Sequence, residues 1–365
     1  MSDLAHVHAG LLRETYPGER RVALTPEDVA RLSMRVKVSF EPGCGAAAGH
    51  GDEAYVAAGG RPASLGDITA GCEIIVSVRR AQAAATVRKA AVLIFLGTHA
   101  ASPESLRADG GPLELDLARI EGLHGAGCMD AATTQATISG HAAVLEGVRQ
   151  LGVGHPMLMI DGSLVRPIRM AAFGADAASL QAIATARRLG ALTHAFTFTD
   201  EERQKTEQLG AKFLAACPPF ASTDRGQSSA EQAALYRQLA GHLAQMQLVV
   251  ISVGGSIRPA PMILNDETIS TLAAGTVVID LAASRGGNCS LTRADEIVTA
   301  GGVRILGSTT FASHEAKEAS RLLSEGIRTA LERLIGDDRR LRLDRHDPII
   351  DRLLGRQPEG ARIAS

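Results

Sequence analysis

The sequence predicts an α/β protein of parallel sheets, doubly wound with helices on both faces and divided into two domains. Three observations predict it. The chain has 365 residues, 45% hydrophobic and 21% charged, enough for two cores and too apolar for disorder. Short β-type runs alternate with Ala-rich helical stretches, the pattern of parallel sheets with right-handed crossovers. Two long helical stretches, about 133–151 and 314–335, are placed to connect domains.

Taken in order, buried strands are expected at Val36–Phe40, Ile74–Val78, Val92–Leu96, Ile168–Phe173, Leu192–Phe196, Leu248–Val253, Thr276–Leu281 and Val303–Leu306. Helices are expected at Pro26–Leu32, Ser179–Leu189, Ser229–Gln245 and Asp266–Leu272. Thr25-Pro26-Glu27 is an N-cap followed by proline at the first helical position. Asn265-Asp266-Glu267 opens a helix with carboxylates facing its dipole. The polar run Ser222–Ser229 reads as a surface loop. If both long helices cross between domains, the first domain is discontinuous, 1–135 plus 316–365. The second is then continuous, 136–315. The cleft between them is the default ligand site.

Several classes are excluded. Charge is balanced, 38 basic against 40 acidic residues, with no long basic block, which argues against nucleic acid. Aromatics are 3% and there is no Trp, so stacking on bases has little to use. No apolar run approaches the ~18 residues of a membrane span, and the N-terminus lacks the zones of a signal peptide. The five cysteines, Cys44, Cys72, Cys128, Cys217 and Cys289, form no C-x-x-C pair. This fits a reducing cytoplasm and neither a disulfide scaffold nor a zinc finger.

The most informative stretch begins Ile168-Arg-Met-Ala-Ala-Phe-Gly174-Ala175-Asp176-Ala-Ala-Ser179-Leu-Gln. It reads as strand, tight turn and helix. In a dinucleotide fold such a turn reads G-x-G-x-x-G. Only Gly174 stands in its place; Asp176 holds the second position and Ser179 the third. The acidic residue expected after the next strand, for the ribose hydroxyls, is replaced by Thr197. A carboxylate about 4 Å from a phosphate repels it by roughly 4 kcal/mol at an effective dielectric of 20, close to three decades of affinity. The geometry is Rossmann-like, while Asp176 works against a diphosphate. The turn is therefore either plain scaffold or an altered nucleotide site.

Stretches across nearly the whole chain resemble the family of alanine dehydrogenase and the alpha subunit of nicotinamide nucleotide transhydrogenase. They include Pro17-Gly-Glu-Arg-Arg21-Val-Ala-Leu-Thr-Pro26, Met129-Asp130-Ala with Gln135, Leu180–Gly190, and Asp280-Leu-Ala-Ala-Ser-Arg-Gly-Gly-Asn-Cys289. The resemblance implies two Rossmann-like domains with an interdomain cleft, usually in a homodimer. It also implies hydride transfer with NAD(H) or NADP(H), and separate membrane transhydrogenase subunits as partners.

Carried over position by position, Arg21 matches the arginine that holds a substrate carboxylate, and Ser77 stands where a lysine contacts substrate. Ser284 stands where a catalytic aspartate is expected. His99 is the candidate active-site histidine, with Thr98 competing for that place. In the loop that faces nicotinamide, Asp130 and Thr133 keep the family's chemistry, while Gly125 and Gly127 replace Arg and Gln. Gly226 keeps one position of a mobile loop. Cys128, near His124, is a candidate nucleophile or a small packing residue. The cofactor positions implied are thus Gly174, Ala175, Asp176, Ser179, Thr197, Gly226 and Thr133. The expected function is a divergent oxidoreductase of this family. The alternative is a repurposed member or pseudoenzyme: a biosynthetic enzyme on a small carboxylate held by Arg21, or a non-catalytic partner subunit. Arg20-Arg21 reads equally as an anion fork or as an internal ion pair. No histidine spacing suggests a metal.

Overall fold

The computed structural model describes residues 7–80, 87, 92–97, 112–153, 165–216, 237–255, 260–336 and 338–354. The chain divides into two compact units, Met1–Gln135 with Ala312–Ser365, and Ala136–Phe311. Thr98, His99, Gly226 and the run 222–229 lie outside the described residues.

The first unit contains β1 (Val7–Leu11), α1 (Pro26–Leu32), β2 (Val36–Phe40), α2 (Asp52–Ala57), β3 (Arg61–Pro62), α3 (Leu65–Gly71), β4 (Ile74–Val76), β5 (Val92–Phe95) and β6 (Leu113–Asp116). Its six strands run in the order β3-β2-β1-β4-β5-β6, every neighbouring pair parallel. Alternate residues leave the sheet on opposite faces. Ile74, Val76 and Ile94 enter one cluster with Leu11 and Phe40. Ile75, Leu93 and Phe95 enter another with Ile68. Both faces are covered, as the unbroken apolar runs require.

The chain passes into the second unit within α4 (Ala131–Leu151). There follow β7 (Arg169–Phe173), α5 (Ala177–Arg188), β8 (Leu192–Thr197), α6 (Asp200–Gln208), β9 (Lys212–Ala216), helical residues 237–243 (α7), β10 (Leu248–Ile251), α8 (Asp266–Ser270), β11 (Val277–Asp280), β12 (Ile297–Ala300) and β13 (Val303–Leu306). The order is β12-β13-β11-β10-β7-β8-β9. One expectation is corrected: the sheet is not wholly parallel, because β12 pairs antiparallel with β13 at the edge. The cause is local. Gly301 and Gly302, both at positive φ, close a two-residue hairpin.

Ala171, Phe173, Val249 and Ile251 face one core; Met170, Ala172, Leu248 and Val250 face the other. On that second side a Cβ at Gly140 would sit 2.1 Å from the Ala178 carbonyl oxygen. Only glycine lets α4 meet the start of α5 backbone to backbone. The chain returns to the first unit at Ala312, just before α9 (Ala316–Leu334), and ends its described residues with α10 (Pro348–Leu353) and Leu354. Gly326 plays a similar role in the first unit, where a Cβ would meet the Cys128 carbonyl oxygen at 2.6 Å.

Candidate functional site

Each sheet has one place where the strand order reverses. In open α/β sheets, ligands bind beyond the carboxyl ends of the strands at that place. In the second unit it lies between β7 and β10, which are neighbours although β8 and β9 lie on the far side of β7. The turn from β7 to α5 stands there. Gly174 takes φ +81°, its N–H donates to the Phe196 carbonyl at 2.9 Å, and a Cβ would approach the Ser252 carbonyl oxygen at 3.1 Å. The turn therefore keeps the main-chain shape that a diphosphate needs.

Its side chains use that shape differently. Asp176 is the N-cap of α5, accepting from the Ser179 amide at 2.8 Å. Its other oxygen accepts from the Ser252 hydroxyl at 2.5 Å. Ser252 follows β10, so the carboxylate ties the two strand ends together across the reversal. An anion at a helix N-terminus is favourable; here the chain supplies its own. Ser179 is fully buried and its hydroxyl donates to the Phe173 carbonyl at 2.8 Å. It binds helix to strand where a third glycine would bring them close. Ala175 is half-buried in the turn. Thr197 ends β8 and is buried.

The remaining predicted residues belong to the first unit. Asp130 and Thr133 are brought together, but as a helix start. The Asp130 carboxylate accepts from the Thr133 amide and hydroxyl, at 3.0 and 2.8 Å, and from the Gly122 amide at 2.9 Å. Cys128 Sγ meets the Thr329 hydroxyl on α9 at 3.1 Å.

Arg21 is buried and turned inward. Its Nε and Nη2 donate to the two Glu19 oxygens at 2.7 and 2.6 Å, and Nη1 donates to Gln135 Oε1 at 2.8 Å. The fork expected to hold a ligand carboxylate thus holds a carboxylate of its own chain. Arg79 Nε and the Ser313 hydroxyl also donate to Glu19. Burial disfavours that charge, but Arg21 and these donors outweigh it and hold Glu19 well below the usual carboxylate range. Ser77 is buried, its hydroxyl donating to the Arg79 carbonyl at 2.5 Å. Sequence reasoning missed Glu19 as a partner and Ser252 as a latch. The E-x-R spacing was a signal for the first; the second depends on strand order.

Domain models for alanine dehydrogenase/PNT match the chain in two pieces, the N-terminal domain over residues 10–138 and the C-terminal domain over residues 143–357. The chain belongs to the alanine dehydrogenase/PNT family. This family member is 34% identical over 339 residues to the NAD(P) transhydrogenase subunit alpha of Cereibacter sphaeroides, covering 88% of the chain and 64% of that relative. In Rhodospirillum rubrum the relative is the first of the pieces into which NAD(P) transhydrogenase subunit alpha is divided; it is 31% identical over 345 residues, covering 86% of the chain and 87% of that relative. The chain thus spans less than two thirds of the first relative and most of the second. Among solved structures, a transhydrogenase from Sinorhizobium meliloti superposes with TM-score 0.78 at 30% identity, covering 89% of this chain and 93% of that one. Among the described residues, no helix of this family member is long and apolar enough to cross a membrane.

Proposed function

We propose that this family member is a nicotinamide-nucleotide-dependent oxidoreductase acting in hydride transfer, with NAD(H) or NADP(H) taken at the β7–α5 turn. The observation that carries the reading is the turn itself: a left-handed glycine, a helix N-terminus behind it, and a position at the strand reversal. Gly174 and Ala175 would lie along the diphosphate and Thr197 toward the ribose. The main chain of the turn suits a diphosphate, and the Asp176 carboxylate does not. Binding therefore requires that carboxylate to leave the Ser179 amide and the Ser252 hydroxyl.

The relatives are named as subunits, so the proposal includes further subunits as partners, and a homodimer. It also places the protein in the cytoplasm. Titration of the whole chain with NADH and NADPH, followed by nicotinamide fluorescence and calorimetry, tests the reading. Binding tighter than roughly 100 μM supports it. Failure of both at millimolar concentration removes it, and favours a repurposed member in which the Asp176–Ser252 contact is a permanent closure.

A further inference from the structure

The first unit has its own strand reversal, between β1 and β4. A cavity of about 180 Å³ lies there, lined by residues that follow β1, from Leu12 to Tyr16, and residues that follow β4, including Ser77. It is too small for a nucleotide and large enough for a compact organic molecule. Glu14 stands in its wall. One carboxylate oxygen accepts from the Val78 amide at 2.6 Å, and the Arg79 amide donates to the carboxylate as well. Glu14 therefore reaches from the end of β1 to the end of β4.

Three arginines also line the cavity, yet each is committed elsewhere. Arg13 faces Glu41 at 3.9 Å. Arg79 is bound to Glu19 at 2.9 Å and lies over the Tyr16 ring at 4.0 Å. Arg80 grips Glu114 through Nε and Nη2, at 2.7 Å for the shorter contact. Glu14 alone among the cavity's charged residues has no ion pair among the described residues. A partly buried carboxylate bound only to main-chain amides lacks a counter-charge.

We propose that this crevice is a binding site for a small organic cation, a protonated amine, whose ammonium group becomes the ion-pair partner of Glu14. The Thr15 and Ser77 hydroxyls offer acceptor lone pairs beside it, and Leu12 and Leu65 offer apolar wall for a short hydrocarbon portion. This reverses the expectation of a small carboxylate ligand, since the arginine fork that would hold one is filled by Glu19. The proposal does not rest on the dinucleotide reading, which concerns the other unit.

The site is pH-sensitive in a defined direction. Burial pushes Glu14 up to about 7, with Glu19 adding to the rise. The Val78 and Arg79 amides and the Arg21 charge oppose it. The ionised form, which the amine needs, grows about tenfold between pH 6 and pH 8 for a group titrating near 7.

The experiment uses n-propylammonium as probe and propionate as its shape-matched anion, with calorimetry on the whole chain. Propylammonium is expected to bind about tenfold more tightly at pH 8 than at pH 6, to lose at least tenfold in Glu14→Gln, and propionate to bind more weakly than the amine. Gln keeps an oxygen for the Val78 amide, and circular dichroism checks that the variant is folded. The wild-type pH series stands even if it is not. Propionate binding as tightly as the amine, a flat pH profile, or no amine binding at all would each overturn the proposal.

Discussion

The two strand reversals of this protein carry the same device with opposite outcomes. In each, an acidic side chain from the loop after the first strand of its unit reaches across to the neighbouring strand's end. Asp176 finds a helix amide and a hydroxyl, Ser179 and Ser252. Its charge is held by the α5 N-terminus, which in a dinucleotide fold would hold a diphosphate. Glu14 finds main-chain amides and no cation among the described residues. One crevice contains its own anion in a settled place; the other contains an anion without a counter-charge. A third carboxylate, Glu19, sets the scale, with two arginines and a serine hydroxyl on it. Buried acids of one chain thus range from fully paired to unpaired, and the sites follow from where the pairing stops.

The largest effect is expected at the fully paired end. Glu19→Gln leaves Arg21 and Arg79 without their carboxylate in a buried setting and should cost about 3–5 kcal/mol of stability, read by urea unfolding. A cost below about 1 kcal/mol would break the contrast with Glu14. The pH profile sharpens the same contrast at smaller scale. Glu19 titrates lower in the folded state, so its contribution is present above the ordinary value of 4.5 and is lost as pH falls below it. Glu14 titrates higher, about 7 against 4.5. Its contribution is present below 4.5 and is lost as pH rises toward 7. Glu14→Gln should therefore gain stability relative to wild type across that window, by no more than about 1.4 kcal/mol per pH unit. A constant difference between the two proteins from pH 4.5 to 7 would contradict the assignment.

Much of the fold was legible because local signals and burial agree. Val36–Phe40 is a strand as its alternation suggests. Pro26 and Asp266 open helices behind Thr25 and Asn265, and Asn265 caps through its side chain at 2.9 Å. Edge strands were less legible. Lys212–Ala216 and Ile297–Ala300 are short and exposed on one side or end, so no continuous apolar run marks them. At the site, Asp176 was visible as a departure from a glycine turn. Its inward cap was visible only in the spacing to Ser179, because the sequence does not say which way a side chain at that position points. Arg21 looked like a free fork until Glu19, two residues away, proved to fill it. Glu14 was silent in the sequence, since its meaning depends on β4 lying beside β1 although β2, β3 and three helices come between them in the chain.

The central claim is that the Asp176 carboxylate takes the place of a ligand diphosphate. It is tested most directly by NADH titration of Asp176→Gly against wild type, followed by nicotinamide fluorescence. Glycine caps a helix almost as well as aspartate, at a cost of a few tenths of a kcal/mol, so the comparison isolates the carboxylate. At least tenfold tighter binding by Asp176→Gly is the predicted result; equal affinity in the two proteins would contradict it.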